Sequence, residues 1–97
     1  MALIERRIEG DKITCLYKST NVLLTEYHTS MHTLEVTFRN GMKYVYHAVT
    51  PMEHAGLQIA ESTGQYFAKT IKPKRFEKIG ATIVTEWLRK ADGNVIG

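Results

Sequence analysis

Between Lys69 and Lys78 the chain carries Lys69, Lys72, Lys74, Arg75 and Lys78 against a single acid, Glu77. Such a cluster can hold an anion, because capturing a phosphate needs a concentrated patch more than a high total charge. The same residues could equally form a solvated lysine-rich face. Just upstream, Ser62 and Gly64 stand at a prospective helix start. Unpaired backbone N–H groups and the helix dipole favour a negative group there, although plain capping uses the same residues. Tyr66 lies close in sequence to the cations and is the best-placed side chain to stack on a base. Tyr44 and Tyr46 are further stacking candidates, with core packing as their alternative.

Other chemistries find less footing. His28 and His32 are four residues apart, but they flank a polar loop, so the spacing loses its helical meaning. The single cysteine, Cys15, leaves no second thiol for a zinc set, and no motif surrounds it that would make it a nucleophile. Paired carboxylates, a P-loop and a dinucleotide fingerprint are all missing from the sequence. We therefore expect a non-catalytic protein without metal or cofactor.

The elements that would position these residues can be read from periodicity. Ile4 and Ile8, then Ile13, Cys15 and Tyr17, alternate with polar neighbours around Gly10-Asp11, which predicts a first hairpin. Val22 to Tyr27 is a third strand. Leu34 to Tyr46 is a second hairpin whose register decides where the tyrosines point. A two-residue Asn40-Gly41 turn mixes apolar and polar side chains on both faces. A three-residue Arg39-Asn40-Gly41 loop with Gly41 in a bulge puts Leu34, Val36 and Phe38 with Met42, Tyr44 and Tyr46. We take the second register.

Thr50-Pro51-Met52-Glu53 then gives an N-cap, a proline at the first helical position and a capping-box glutamate. Met52, Ala55 and Ile59 fall on one face of that helix. Ser62-Thr63-Gly64-Gln65 opens a second, short helix with Phe67 and Ile71 as its buried pair, and Lys72-Pro73 ends it. Over residues 76–91 Ile79, Ile83 and Trp87 suit a helix, with strand as the alternative, and Leu88 to Asp92-Gly93 reads as a helix end. The predicted fold is α+β: an antiparallel meander of four or five strands with two or three helices packed on one face.

A chain of 97 residues is one domain with one modest core. No apolar run approaches a membrane span, and the N-terminus lacks the apolar stretch of a secretory signal. With its lone cysteine this predicts a cytoplasmic protein. The net charge of +3 points weakly to anionic partners.

Ser19-Thr20-Asn21-Val22, Tyr27, Leu34-Glu35-Val36-x-Phe38, Gly41, Tyr44-x-Tyr46, Val49-x-Pro51, Ser62-x-Gly64, Tyr66-Phe67 and Ile71 together resemble the KTSC domain family over about residues 19–72. That family is named for its place at the C-terminus of some lysyl-tRNA synthetases. The resemblance implies an α+β fold and single-stranded RNA binding. Two positions depart from it: Ala68 stands where relatives favour Asn, and Lys72 where an Arg often stands, without the bidentate fork. Charge distribution favours a compact pocket for a small nucleotide, as in a phage or bacterial protein that senses or sequesters nucleotide signals. A purely structural module is the third class. The N-terminal hairpin and the tail lie outside the resemblance. Val84 and Leu88 sit about 100° around a helix from Ile83 and Trp87, so one face cannot bury them all, and we expect a homodimer built through these added ends.

Overall fold

In the computed structural model, which describes residues 2–93, six strands form one antiparallel meander in chain order. β1 (Leu3–Glu9) and β2 (Lys12–Tyr17) turn at Gly10-Asp11, with Glu9 opposite Lys12. β3 (Val22–His28), β4 (Thr33–Phe38) and β5 (Met42–Tyr46) follow. The β4–β5 register is the bulged one: Leu34 lies opposite Tyr46 and Val36 opposite Tyr44. Gly41 sits at φ +89° and donates its N–H to the Phe38 carbonyl. A Cβ there would come within 2.5 Å of the Thr82 backbone oxygen.

The tail adds a sixth strand that periodicity did not single out. β6 (Phe76–Ala81) pairs with β5 from Tyr46–Phe76 to Met42–Ala81, so Ile79 is on a strand. Only α3 (Thr85–Ala91) is helical, carrying Trp87 and Leu88, while Ile83 lies between the two elements and is 86% exposed. The free edge of β5 offers a ladder of unpaired backbone groups, and satisfying them outweighs a weak helical periodicity. Gly80 at φ +143° interrupts any helix through this stretch.

α1 (Pro51–Ile59) starts as its sequence dictates. Thr50 Oγ1 accepts from the Glu53 N–H at 3.1 Å, and Glu53 Oε1 accepts from the Thr50 N–H at 2.9 Å. The face it buries is not the apolar stripe. Met52 (83% exposed), Ala55 and Ile59 (69%) face solvent, whereas His54 and Leu57 are buried. His54 is drawn inward by stacking on Tyr27, with ring centroids 4.3 Å apart. α2 (Thr63–Tyr66) is capped by Ser62 Oγ, which accepts from the Gln65 N–H, and it widens into a π-helical stretch over Phe67–Ile71. The Lys72 N–H closes that stretch on the Phe67 carbonyl at 2.8 Å. Lys72 itself keeps helical angles although Pro73 follows, so the stop comes from the N–H that proline lacks.

Two cores result, one on each sheet face. Cys15, Tyr17, Val22, Tyr27, Leu34, Val36 and Tyr46 pack under Leu57, Phe67 and Ile71. Leu16, pointing the opposite way between Cys15 and Tyr17, joins Leu23, Val84 and Ala91, with Trp87 and Leu88 against them. The tail thus folds back over its own sheet: α1, α2 and the π-helical stretch share the first face, and α3 covers part of the other. Arg39–Asp92 and Lys90–Glu5 ion pairs of 2.8 and 2.9 Å pin α3 there. Among the described residues no helix is long and apolar enough to cross a membrane.

Gly41→Ala meets both a left-handed backbone and the Thr82 carbonyl, so it should cost about 2–3 kcal/mol. Urea denaturation would register this as a lower midpoint at an unchanged slope. A second expectation follows from His54, which accepts from Gln58 through Nδ1 at 3.1 Å and has no partner for its buried Nε2. Desolvation, reinforced by Arg6, lowers its pKa from 6.5 to about 4. The unfolded chain takes up this proton near pH 6.5 and the folded chain only near pH 4, so stability falls as pH drops through that window and levels off below it. The loss should approach about 3 kcal/mol. His54→Phe, which keeps a ring on Tyr27, should flatten this part of the stability–pH curve measured by chemical denaturation.

Candidate functional site

The helices cover the first sheet face unevenly. Side chains are buried over β2 to β4, but toward β5 and β6 the cover runs out: Tyr46 is 4% exposed, Tyr44 half-buried, and Phe76 54% exposed. What remains is an open groove of about 450 Å³. Its walls carry Phe38, Tyr44, Tyr46, Phe67 and Phe76. Phe67 meets both Phe38 and Tyr46 edge-on, at 5.5 and 5.3 Å between centroids. Phe76 lies tilted against Tyr44 at 5.9 Å and Tyr46 at 5.7 Å. Burial, with Tyr44 beside it, pushes the Tyr46 hydroxyl above its usual pKa, so the group stays protonated.

Asn21, Asn40, Met42, Ala68 and Lys72 complete the lining. Lys72 projects from the end of the π-helical stretch, is exposed, and makes no ion pair among the described residues. Lys78 lies opposite Tyr44 on the neighbouring strand, hence on the same face. Asn21 is held at the groove's edge because its Oδ1 accepts from the Val22 N–H at 2.8 Å. The close approach of Gly64 fixes it further, since a Cβ on Gly64 would stand 3.1 Å from that oxygen and 3.4 Å from Ser19 Oγ.

The other site candidates go to different places. Ser62, Tyr66 and Lys69 line a shallower depression with Ala60, Glu61, Gln65 and Ala68, which adjoins the groove at Ala68. Tyr66 is half-buried against α1, where a Cβ on Gly56 would collide with its ring. Lys74 is bound within the fold: its Nζ contacts Glu53 Oε1 at 2.9 Å and donates to the Ala48 carbonyl at 3.0 Å. Arg75 is exposed, and its carbonyl accepts from the His47 N–H. The groove therefore gathers Tyr44, Tyr46 and Lys72 and adds Phe38, Phe67, Phe76, Asn21 and Asn40. Sequence reasoning had signalled that Phe38 shares a face with the tyrosines. It had no signal for Phe76, whose strand stood only as the alternative to a helix over residues 76–91.

Cys15 is buried, and desolvation pushes its thiol up, away from the range of a reactive thiolate. Among the described residues no three His, Cys, Asp or Glu side chains group as a metal set. His47 is engaged with Glu77 at 2.9 Å.

No curated protein matches the chain. Among solved structures it is similar to the KTSC domain protein YPO2434 from Yersinia pestis, at 27% identity and a TM-score of 0.64, covering 78% of this chain and 97% of that one. The KTSC domain family model matches residues 18–76, a span from the β2–β3 loop to the first residue of β6 that contains all ten residues of the groove's lining. The chain belongs to the KTSC domain family.

Proposed function

We propose that the protein is a non-catalytic binder of a small phosphate-bearing nucleotide, held in the aromatic groove. One observation carries this reading: five aromatic side chains surround a solvent-open groove with an unpaired lysine, Lys72, at its edge. Rings that present faces and edges at this spacing can stack on a base, at about 1–3 kcal/mol per base by alanine substitution. Lys72 and Lys78 supply point charges for a phosphate. A volume of about 450 Å³ lies in the usual range for small-molecule sites. Of the cations that cluster in sequence, Lys72 lines the groove, Lys78 lies opposite Tyr44 on β6, Lys69 lines the adjoining depression, and Lys74 serves the fold.

A short single strand of RNA is the second reading, favoured by the way the two cavities meet at Ala68. A strand seated in the groove could continue past that small side chain toward Lys69 and Ser62. The dimer expected from the added ends stands as a proposal on narrower ground. Of the tail residues Ile79, Ile83, Val84, Trp87 and Leu88, Ile79 and Ile83 are the ones left largely exposed.

Thermal-shift panels of mononucleotides and tetranucleotides test both readings, because a ligand at a hundred times its Kd stabilises by about 2.7 kcal/mol. Lys72→Glu and Tyr44→Ala should each weaken nucleotide binding at least tenfold. Lys72→Glu should leave the unliganded Tm within a degree or two, as an exposed side chain without a partner allows. Tetranucleotides that bind more than tenfold tighter than mononucleotides would move the conclusion to RNA. Unchanged affinity in Lys72→Glu would take the site out of the groove.

A further inference from the structure

The two asparagines at the groove carry information that the aromatic walls do not. An amide side chain normally offers one acceptor and two donors, and which way it points is settled only by its partners. Here the partners settle it. The Oδ1 of Asn21 accepts from the Val22 N–H at 2.8 Å, and the Oδ1 of Asn40 accepts from the Met42 N–H at 3.0 Å. Both partners are backbone donors, so the atom facing each must be oxygen. What each side chain has left for a ligand is an NH2 group with two donor hydrogens, against one remaining lone pair on Oδ1.

The rest of the lining points the same way. Lys72 donates and cannot accept. Phe38, Phe67, Phe76, Met42 and Ala68 bring no polar side-chain group beyond a weak thioether, and no carboxylate or histidine lines the groove. Against these donors stand the remaining lone pairs of the two Oδ1 atoms and the hydroxyls of Tyr44 and Tyr46, which can also donate. The side chains of the rim therefore offer a ligand base more donors than acceptors. An oxo base presents two carbonyl lone pairs and one ring N–H where the amino base presents two amino hydrogens and one ring-nitrogen lone pair, so the oxo form matches a donor-rich rim better. A polar group left unmatched on desolvation costs more than a typical hydrogen bond gains.

We propose that the groove selects oxo bases over amino bases: uracil over cytosine, and hypoxanthine over adenine. This rests on the groove being a nucleotide site, and the test is built so that the two ideas fail differently. The probes are two matched pairs, uridine against cytidine 5′-monophosphate and inosine against adenosine 5′-monophosphate. Within each pair the ring size and phosphate are the same. What changes is one oxo-for-amino exchange, with the protonation of the adjacent ring nitrogen that accompanies it.

Isothermal titration should give the oxo member of each pair about tenfold tighter binding. Asn40→Asp keeps the oxygen that caps the Met42 N–H and exchanges the free NH2 for a second acceptor. It should shrink or invert the oxo-to-amino ratio, and because its added charge acts on both members alike, the ratio isolates the hydrogen-bond effect. Equal affinities within twofold, or a ratio untouched by Asn40→Asp, would overturn the selectivity while leaving the nucleotide site in place. No binding by any of the four would overturn the nucleotide site and the selectivity with it.

Discussion

The aromatic wall of the first sheet face depends on one backbone position. Gly41 adopts φ +89°, closes the β4–β5 turn on the Phe38 carbonyl, and accepts the Thr82 N–H at 2.8 Å on its own oxygen. A bulge there adds one residue to the turn, and one residue is the difference between the two faces of a strand. With it, Phe38, Tyr44 and Tyr46 stand together beneath the helices. Without it, the tyrosines would share a face with Thr37 and Glu35, and the groove would lose its wall. The same glycine also brings the end of β6 against the turn, so Phe76 and Lys78 are registered on the tyrosines by the constraint that orients the tyrosines themselves.

The groove is where two economies of packing meet. α1, α2 and the π-helical stretch supply enough apolar surface to seal the sheet over β2 to β4, where Val22, Leu34 and Val36 have no exposure at all. Beyond Tyr46 they leave Tyr44 of β5 half-buried and Phe76 of β6 exposed. A chain of this size has little further core to offer, and its remaining helix is committed to the other face through Leu16, Leu23 and Val84. The uncovered aromatics are consequently not a failure of folding but a surface whose contiguity is of the kind that marks interaction sites. The wide turn that ends in Lys72 sets a cation beside them, and π-helical turns recur where local geometry has been adapted to function.

How much of this was legible follows the physics of each element. The bulged register could be read because Val36 and Phe38 against Glu35 and Thr37 leave a single arrangement that separates apolar from polar. The α1 start could be read because Thr50, Pro51 and Glu53 act within one turn. Its buried face could not, because His54 and Leu57 are chosen by Tyr27 and the sheet beneath them, contacts more than twenty residues distant in the case of Tyr27. Residues 76–91 divided into a strand and a helix because the vacancy beside β5 is a property of the assembled sheet. The cation cluster was visible as a cluster, but its division between groove-lining Lys72 and fold-bound Lys74 depends on where Glu53 and Ala48 come to lie.

The most direct measurement is a heteronuclear NMR titration of the 15N-labelled protein with uridine 5′-monophosphate. If the groove is the site, the amides of Asn21, Asn40, Tyr44, Lys72 and Phe76 should shift together and fit a single Kd, while those of α3 stay still. Shifts confined to the Ser62–Lys69 depression or to the α3 face, or none at saturating ligand, would contradict it.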